Sequence, residues 1–195
     1  MPVSDVTKGP ESRNRSGGGI VSGGGTRSSV RMPASVADLV AGLRRRWASG
    51  IAIVTARDDD GGSRGVTVTS LMVVSQEPPI LAIALATSGA FRHLAVVDTV
   101  LGISLLESSH EFSAERFAGR APVPDARFAG IPHRIEDGVP VLDGALGWCV
   151  GRIVSSEEVG DHRLVLLEIA SGGLGPDTDD PLLSYEGRYR RLETG

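Results

Sequence analysis

Short apolar or alternating segments, separated by turns rich in glycine, proline and aspartate, recur along most of this 195-residue chain. Residues 51–56 are the first such segment, residues 58–62 predict a hairpin turn, and residues 65–75 predict one long or bent strand rich in valine and threonine. Further strands are predicted over residues 80–86, 100–106, 144–155, 162–169 and 187–192. Six or more strands at short intervals predict a mainly β protein, a closed or nearly closed β-barrel with peripheral helices.

Only three short helices are predicted. The first begins after Ser35, a favourable N-cap, because Val36, Leu39 and Leu43 follow at helical spacing. The other two are predicted over residues 90–97 and 109–118.

The N-terminal segment differs in composition from the rest of the chain. Residues 1–33 are rich in glycine and serine and contain almost nothing that a core could bury, so they predict a disordered tail. Residues 34–195 have the length of one ordinary domain, which predicts a single barrel domain.

Charge and composition exclude several classes of function. The net charge of −4 provides no overall basic field for a nucleic acid partner. The only lysine, Lys8, lies in the tail, so the domain has no amine for a P-loop or a Schiff base. No apolar stretch has the length of a signal peptide or a membrane span, and the lone Cys149 suits a reducing compartment. We therefore expect a cytoplasmic protein with no membrane partner.

The sequence supports neither a metal site nor a hydrolase site. The four histidines and Cys149 show none of the close spacings of a metal site, so no metal is expected. The Gly-x-Ser-x-Gly pattern at residues 61–65 lies in the predicted hairpin rather than on a strand-to-helix elbow. Ser63 is therefore interpreted as a turn residue.

The most informative segment is residues 64–79, where hydroxyl side chains recur at Thr67, Thr69, Ser70 and Ser75. Such hydroxyls, with neighbouring backbone N–H groups, can bind phosphate or the polar edge of a flat heterocycle. The same pattern also suits an ordinary strand, whose threonines face water at alternate positions. From these residues alone, the two interpretations are balanced.

Further short motifs occur before and after this segment. Together with it they are, in chain order, Trp47-Ala48-Ser49-Gly50, the hydroxyl-rich segment ending at Pro78-Pro79, and residues 116–119, 127–132, 140–146, 160–162 and 181–189. In order and spacing they resemble the flavin reductase family over about residues 36–192. The resemblance implies an FMN-binding split β-barrel, usually a homodimer, that uses NADH or NADPH to reduce FMN or FAD. Many members pass the reduced flavin to a separate monooxygenase.

The resemblance also implies which residues bind the flavin. Thr67, Val68, Thr69, Ser70 and Leu71 would lie along the isoalloxazine ring, with Thr69 and Ser70 as the polar contacts. The other implied cofactor-binding residues are Ser75, Ala86, Thr87, Ser88, Ala90, Phe91, Ser104, Arg116, Phe117 and Ala118. Of these, residues 86–91 would hold the phosphate and ribityl chain, Ser104 would face the ring, and residues 116–118 would close over the flavin.

His162, in Gly160-Asp161-His162, is the catalytic residue that the resemblance implies, on the nicotinamide side. Hydride transfer between two rings requires alignment rather than a strong acid or base, which suits an orienting imidazole. A capping or core histidine is the alternative interpretation.

Two departures from the family pattern keep other functions open. Residues 86–90 are one residue shorter than the corresponding tract of the family and lack its charged residue, and Ser104 stands where many relatives have asparagine. One alternative is a protein of this fold that binds flavin, deazaflavin or heme without turnover. The other is an enzyme of this fold that reduces an organic substrate through bound flavin.

Overall fold

The computed structural model describes residues 32–89, 91–121, 128–175, 177 and 180–192. The helices are α1 (Val36–Arg46) and α2 (Glu111–Phe117), with single 3-10 turns at Arg92–Leu94 and Ser108–His110. The strands are β1 (Ser49–Gly50), β2 (Ala52–Arg57), β3 (Ser63–Val68), β4 (Leu71–Gln76), β5 (Pro79–Ala86), β6 (Val100–Leu105), β7 (His133–Glu136), β8 (Val139–Leu142), β9 (Gly147–Val159), β10 (His162–Leu174), β11 (Leu183–Tyr185) and β12 (Arg188–Arg190). The prediction of a mainly β protein is confirmed. Among these residues, no helix is long and apolar enough to cross a membrane.

Seven antiparallel strands form the main sheet, in the order β3-β2-β6-β9-β10-β5-β4. Its two edge strands, β3 and β4, are consecutive in the chain and are joined only by Thr69 and Ser70. Because such a connection spans at most about 11 Å, the two edges must lie close together. The sheet therefore curls into a barrel that is split between β3 and β4.

Two smaller sheets lie beside the barrel. Strands β1, β11 and β12 form one of them, in the order β1-β11-β12, and the hairpin β7-β8 forms the other. The hairpin packs on the barrel through Val139 and Val141, which contact Val150 of β9.

Both faces of β2 are buried. This explains why residues 51–56 do not alternate and are apolar apart from Thr55, which is itself buried. Val54 faces the barrel interior, where it packs in one cluster with Ile83 and Ile103. Ile53 faces the opposite way, into a second cluster that contains Phe117 of α2. Strand β2 thus separates the barrel interior from the layer that holds α2.

Helix α1 begins as predicted. The hydroxyl oxygen of Ser35 accepts a hydrogen bond from the backbone N–H of Asp38 at 3.0 Å, which is N-cap geometry. No residue of α1 is buried by the part of the chain that the structure describes. Its apolar stripe is therefore exposed.

The structure corrects several predicted elements. Residues 65–75 form two strands instead of one, because the chain crosses at residues 69–70 from one edge of the sheet to the other. Within the predicted helix 90–97 only a 3-10 turn is present, and Ala90 lies outside the described residues. Strands β9 and β10 are longer than predicted because they pair with each other along their whole length. The predicted tail lies almost wholly outside the described residues and stays a prediction.

Candidate functional site

A cleft of about 800 Å³ lies at the split of the barrel, and we call it the split cleft. Its walls come from five places in the chain. These are the end of α1 with β1 and the start of β2 (Arg44, Arg45 and residues 47–52), the β3–β4 connection (residues 69–72), the end of β6 with the residue after it (Leu105 and Leu106), the residue before β9 (Leu146), and the segment from Pro181 to the β11–β12 turn (Pro181, Leu182, Ser184 and Gly187). A cavity of this size can hold a flat heterocycle together with a charged tail.

Three of the predicted flavin-binding residues line the split cleft, and all three lie on or beside the β3–β4 connection. Thr69 is exposed there, and its hydroxyl has no hydrogen-bond partner among the described residues. Ser70 donates its hydroxyl hydrogen to the carbonyl oxygen of Ala84 at 2.8 Å, so its oxygen can still accept. Leu71 packs against the barrel core and gives the cleft an apolar floor.

The wall formed by residues 47–52 was identified in the sequence as a motif but not as part of the site. Backbone hydrogen bonds hold it: Ile51 N–H donates to Leu182 O at 3.2 Å, and Leu106 N–H donates to Ile51 O at 3.0 Å. Trp47, at the end of α1, has 77 % of its surface exposed beside the cleft. The signal that could have assigned these residues was the Trp-Ala-Ser-Gly motif itself.

Thr67 and Val68 precede the cleft but do not line it. The hydroxyl of Thr67 donates to the carbonyl oxygen of Ala114 at 2.7 Å and so ties β3 to α2. Val68 is buried in the barrel core. Ser75 is half-buried and follows an irregularity in the pairing of β4 with β5, also outside the cleft lining.

Ser104 is fully buried, and its hydroxyl oxygen accepts a hydrogen bond from the backbone N–H of Leu142 at 2.9 Å. It therefore links β6 to β8. The structure does not bring it into the lining of the split cleft, where the resemblance would have it face the ring.

The predicted closing segment 116–118 lies at the end of α2. Arg116 donates to the carbonyl oxygen of Ala129 and lies over the ring of Phe112 at 4.9 Å, while its Nε is buried without a partner among the described residues. Phe117 packs on Phe128, with ring centroids 4.9 Å apart, and Ala118 is the C-cap of α2. None of the three lines the split cleft.

We call residues 86–91 the tract after β5, and its first two residues lie against the turn that carries His162. Thr87 donates to the carbonyl oxygen of Asp161 twice, from its backbone N–H and from its hydroxyl, each at 2.9 Å. Ala86 is paired with His162 across the β5–β10 ladder. The structure thus brings the predicted tract and the predicted catalytic residue together.

The remaining members of this tract differ in exposure. Ser88 is exposed, Phe91 is buried in the barrel core, and Ala90 lies outside the described residues.

His162 is held by its neighbour. Its Nδ1 lies 2.7 Å from Oδ1 of Asp161, and 45 % of the side chain is exposed. This hydrogen bond lowers the pKa of the Asp161 carboxyl, whose side chain is 94 % exposed. His162 does not itself line the split cleft; β5 connects the two, because Ser70 bonds to Ala84, two residues before Ala86.

The donor set of the split cleft fits a flavin. Apolar walls suit the flat ring system, the Thr69 and Ser70 hydroxyls suit its polar edge, and Arg44 and Arg45 suit a phosphate. Among the residues that the structure describes, no group of three histidine, cysteine, aspartate or glutamate side chains could hold a metal ion.

Comparison with known proteins agrees with this chemistry. The flavin reductase like domain matches residues 44–193. The chain is 37 % identical over 146 residues to "FMN reductase (NADH) RutF 2" of Methylorubrum extorquens, which covers 74 % of this chain and 83 % of the relative.

Two solved structures share the fold. The flavin reductase of the styrene monooxygenase from Pseudomonas putida S12 has a TM-score of 0.69 at 28 % identity, covering 80 % of this chain and 98 % of that one. The NADH:FAD oxidoreductase of Streptomyces globisporus, solved with NAD and FAD fragments, has a TM-score of 0.72 at 26 % identity, covering 83 % and 96 %. The predicted split-barrel fold is thereby confirmed, and the chain belongs to the flavin reductase family.

Proposed function

We propose that this protein is an NADH-dependent flavin reductase that transfers a hydride from NADH to FMN or FAD in the split cleft. The observation that carries the proposal is the position of Thr69, Ser70 and Leu71, two hydroxyls beside an apolar floor, in a cleft of about 800 Å³. A flat, polar-edged ring system requires this combination of apolar contact and a few directed hydrogen bonds.

The side chains of the cleft bind and orient. The Thr69 hydroxyl is free to donate to a ring carbonyl or nitrogen, and the Ser70 oxygen is free to accept from a ring N–H. When bound, the flavin supplies the acceptor for the hydride that NADH gives up. No side chain has to act as a strong acid or base, because the reaction depends on aligning two rings and excluding water.

His162 is proposed to orient the nicotinamide. The bond from its Nδ1 to the Asp161 carboxylate favours the tautomer with the proton on Nδ1, which leaves Nε2 as an acceptor. An Nε2 lone pair can accept a hydrogen bond from the nicotinamide carboxamide. His162 is therefore expected to affect the KM for NADH more than the affinity for flavin.

A second copy of the chain is proposed to cover α1, giving a homodimer. The apolar side chains Val36, Val40 and Leu43 of this helix are 77 %, 59 % and 59 % exposed, although a helix with such a stripe normally buries it. Met72 and Val73 extend the exposed apolar surface along the edge strand β4, next to the split cleft. A symmetric contact through these surfaces would complete the cleft from its open side.

We also propose which flavins and which nucleotides the protein uses, and where the reduced flavin goes. The named relatives act on FMN in one case and FAD in another, and both flavins are proposed as acceptors here, with NADPH as a second donor. The styrene monooxygenase reductase supports the proposal that the reduced flavin passes to a separate monooxygenase. A cytoplasmic location stays a prediction.

The test is oxidation of NADH by the purified protein, followed by loss of the nicotinamide absorbance, with FMN, FAD or no flavin added. We expect oxidation that depends on added flavin and saturates with it. A parallel series with NADPH establishes the donor preference. No flavin-dependent oxidation with either nucleotide would contradict the proposal.

A further inference from the structure

Two arginines at the end of α1 line the split cleft and have no carboxylate partner among the residues that the structure describes. Arg44 makes no ion pair with any described residue, and Arg45 contacts only backbone, donating to the carbonyl oxygen of Glu186 at 3.4 Å. Arg46, the next residue, is also unpaired within the described chain but lies outside the cleft lining. The cleft therefore has two uncompensated cations on one wall.

The helix end itself does not attract an anion. Carbonyl groups at a helix C-terminus carry partial negative charge, so an anion here must be held by the guanidinium groups. One of these carbonyls is satisfied, because Glu186 N–H donates to Arg45 O at 2.6 Å. That backbone contact also joins the end of α1 to the β11–β12 turn.

The tract after β5 has fewer free donors and cations for an anion than the wall with Arg44 and Arg45. The Thr87 hydroxyl is committed to the carbonyl oxygen of Asp161. Arg163, farther along β10, lies 3.7 Å from the carboxylate of Glu158 and also donates to Ser156. Arg92 is the exposed cation nearest to the tract in sequence, and it does not line the split cleft.

We propose that Arg44 and Arg45 bind the phosphate of the nucleotide that occupies the split cleft. The inference rests on the proposed function and adds to it the anchor for the charged part of the ligand. A guanidinium group presents paired N–H donors that match phosphate oxygens, and the chain outside its tail contains no lysine that could replace it. The phosphate can belong to the flavin nucleotide or to the nicotinamide dinucleotide.

Riboflavin provides the decisive comparison, because it carries the same ring system as FMN without the phosphate. The experiment measures dissociation constants for FMN and riboflavin by flavin fluorescence in the wild type and in Arg44→Ala, Arg45→Ala and Arg46→Ala. We expect Arg44→Ala and Arg45→Ala each to weaken FMN binding about tenfold, the size of a lost charged hydrogen bond, with riboflavin affinity unchanged. Arg46→Ala, the matched control outside the cleft, should leave both constants unchanged.

A second arm identifies the source of the phosphate. If FMN affinity is unchanged but the KM for NADH, measured with riboflavin as acceptor, rises about tenfold in the same variants, the anchored phosphate is that of the dinucleotide. Either result supports the assignment to Arg44 and Arg45.

Three outcomes would overturn it. The first is no change in FMN affinity or in the KM for NADH. The second is an equal loss of FMN and riboflavin affinity, which would indicate a structural role. The third concerns a further variant, Arg92→Ala, measured in the same way: loss of FMN affinity in that variant alone would place the phosphate near the tract after β5. A wild type that binds neither flavin and oxidises no NADH would instead refute the proposed function.

Discussion

The ring of Phe117 in α2 lies directly against Gly65 in β3. A Cβ atom at position 65 would lie 2.6 Å from both Cδ1 and Cε1 of that ring. Phe117 is itself packed against Phe128, so the ring has little room to move away. Together with the hydrogen bond from Thr67 to Ala114, this contact docks α2 on the strand that leads to the split cleft.

We expect Gly65→Ala to lower the free energy of unfolding by about 1–3 kcal/mol, because an added methyl group overpacks this contact. Denaturant unfolding of the wild type and the variant measures it. Gly42→Ala is the control, since a Cβ there meets nothing within 4 Å and a helical glycine gains from alanine. Equal stability of Gly65→Ala and the wild type would contradict a close contact between Gly65 and the Phe117 ring.

Ser104 is expected to act on stability rather than on flavin binding. Ser104→Ala leaves the buried N–H of Leu142 without its acceptor, which costs about 1–3 kcal/mol of unfolding free energy. Ser113→Ala is the matched control, because Ser113 is also buried but its hydroxyl has no partner among the described residues. Thermal unfolding and an FMN titration on each variant separate the two roles. A large loss of FMN affinity at unchanged stability would place Ser104 in the site.

Much of the barrel could be predicted from the sequence, because its strands carry strong local signals. The largely apolar segment that forms β2 and the Ser35 N-cap are examples, and both are confirmed. The division of residues 65–75 could not be predicted, since nothing local marks the crossing from one sheet edge to the other. The hairpin β7–β8 was missed because its strands are only four residues long.

The site was harder to predict than the fold. The hydroxyls of Thr67, Thr69 and Ser70 look alike in sequence, and only tertiary contacts separate them: Thr67 bonds to α2, whereas the other two line the split cleft. Ser104 bonds to Leu142 of β8, which lies 38 residues further along the chain, and nothing in the local sequence of β6 predicts that contact. The cleft wall formed by residues 47–52 could not be assigned from the sequence, because it faces the split of the barrel. That split forms only when the sheet curls.

Asp58 gives a prediction for acid stability. Its carboxylate accepts from Nε2 of His93 at 2.9 Å and from Nε of Arg64, and these bonds lower the pKa of Asp58 to about 2. A carboxyl with a lowered pKa in the folded state stabilises the fold above the pKa of the unfolded chain, 3.8, and loses that contribution as the pH falls towards 2.

We therefore expect Asp58→Asn to be less stable than the wild type at neutral pH, and the difference to shrink below about pH 4. Urea unfolding at several pH values between neutrality and pH 2 measures this difference. Asp59→Asn is the control, because the Asp59 side chain forms no ion pair with a described residue. A difference for Asp58→Asn that did not change with pH would contradict the role given to the carboxylate.

Helix α1 gives a prediction for assembly. Leu39→Asp or Val40→Asp places a charge on its exposed apolar stripe. We therefore expect the proposed homodimer to dissociate into folded monomers. Light scattering after gel filtration measures the mass, and circular dichroism checks the fold. Ala41→Asp, an exposed position on the other side of the helix, should leave the dimer intact. A wild type that is monomeric at every concentration would contradict the proposed homodimer.

A calorimetric titration of FMN into Thr69→Val and Thr67→Val tests whether the flavin binds in the split cleft. Both variants remove one hydroxyl at nearly constant volume, two residues apart. Thr69→Val should weaken FMN binding by about 1–3 kcal/mol, because its hydroxyl lines the split cleft. Thr67→Val should bind FMN as the wild type does and be less stable, because it loses the bond to Ala114. Unchanged affinity in Thr69→Val with reduced affinity in Thr67→Val would contradict the placement of the flavin in the split cleft.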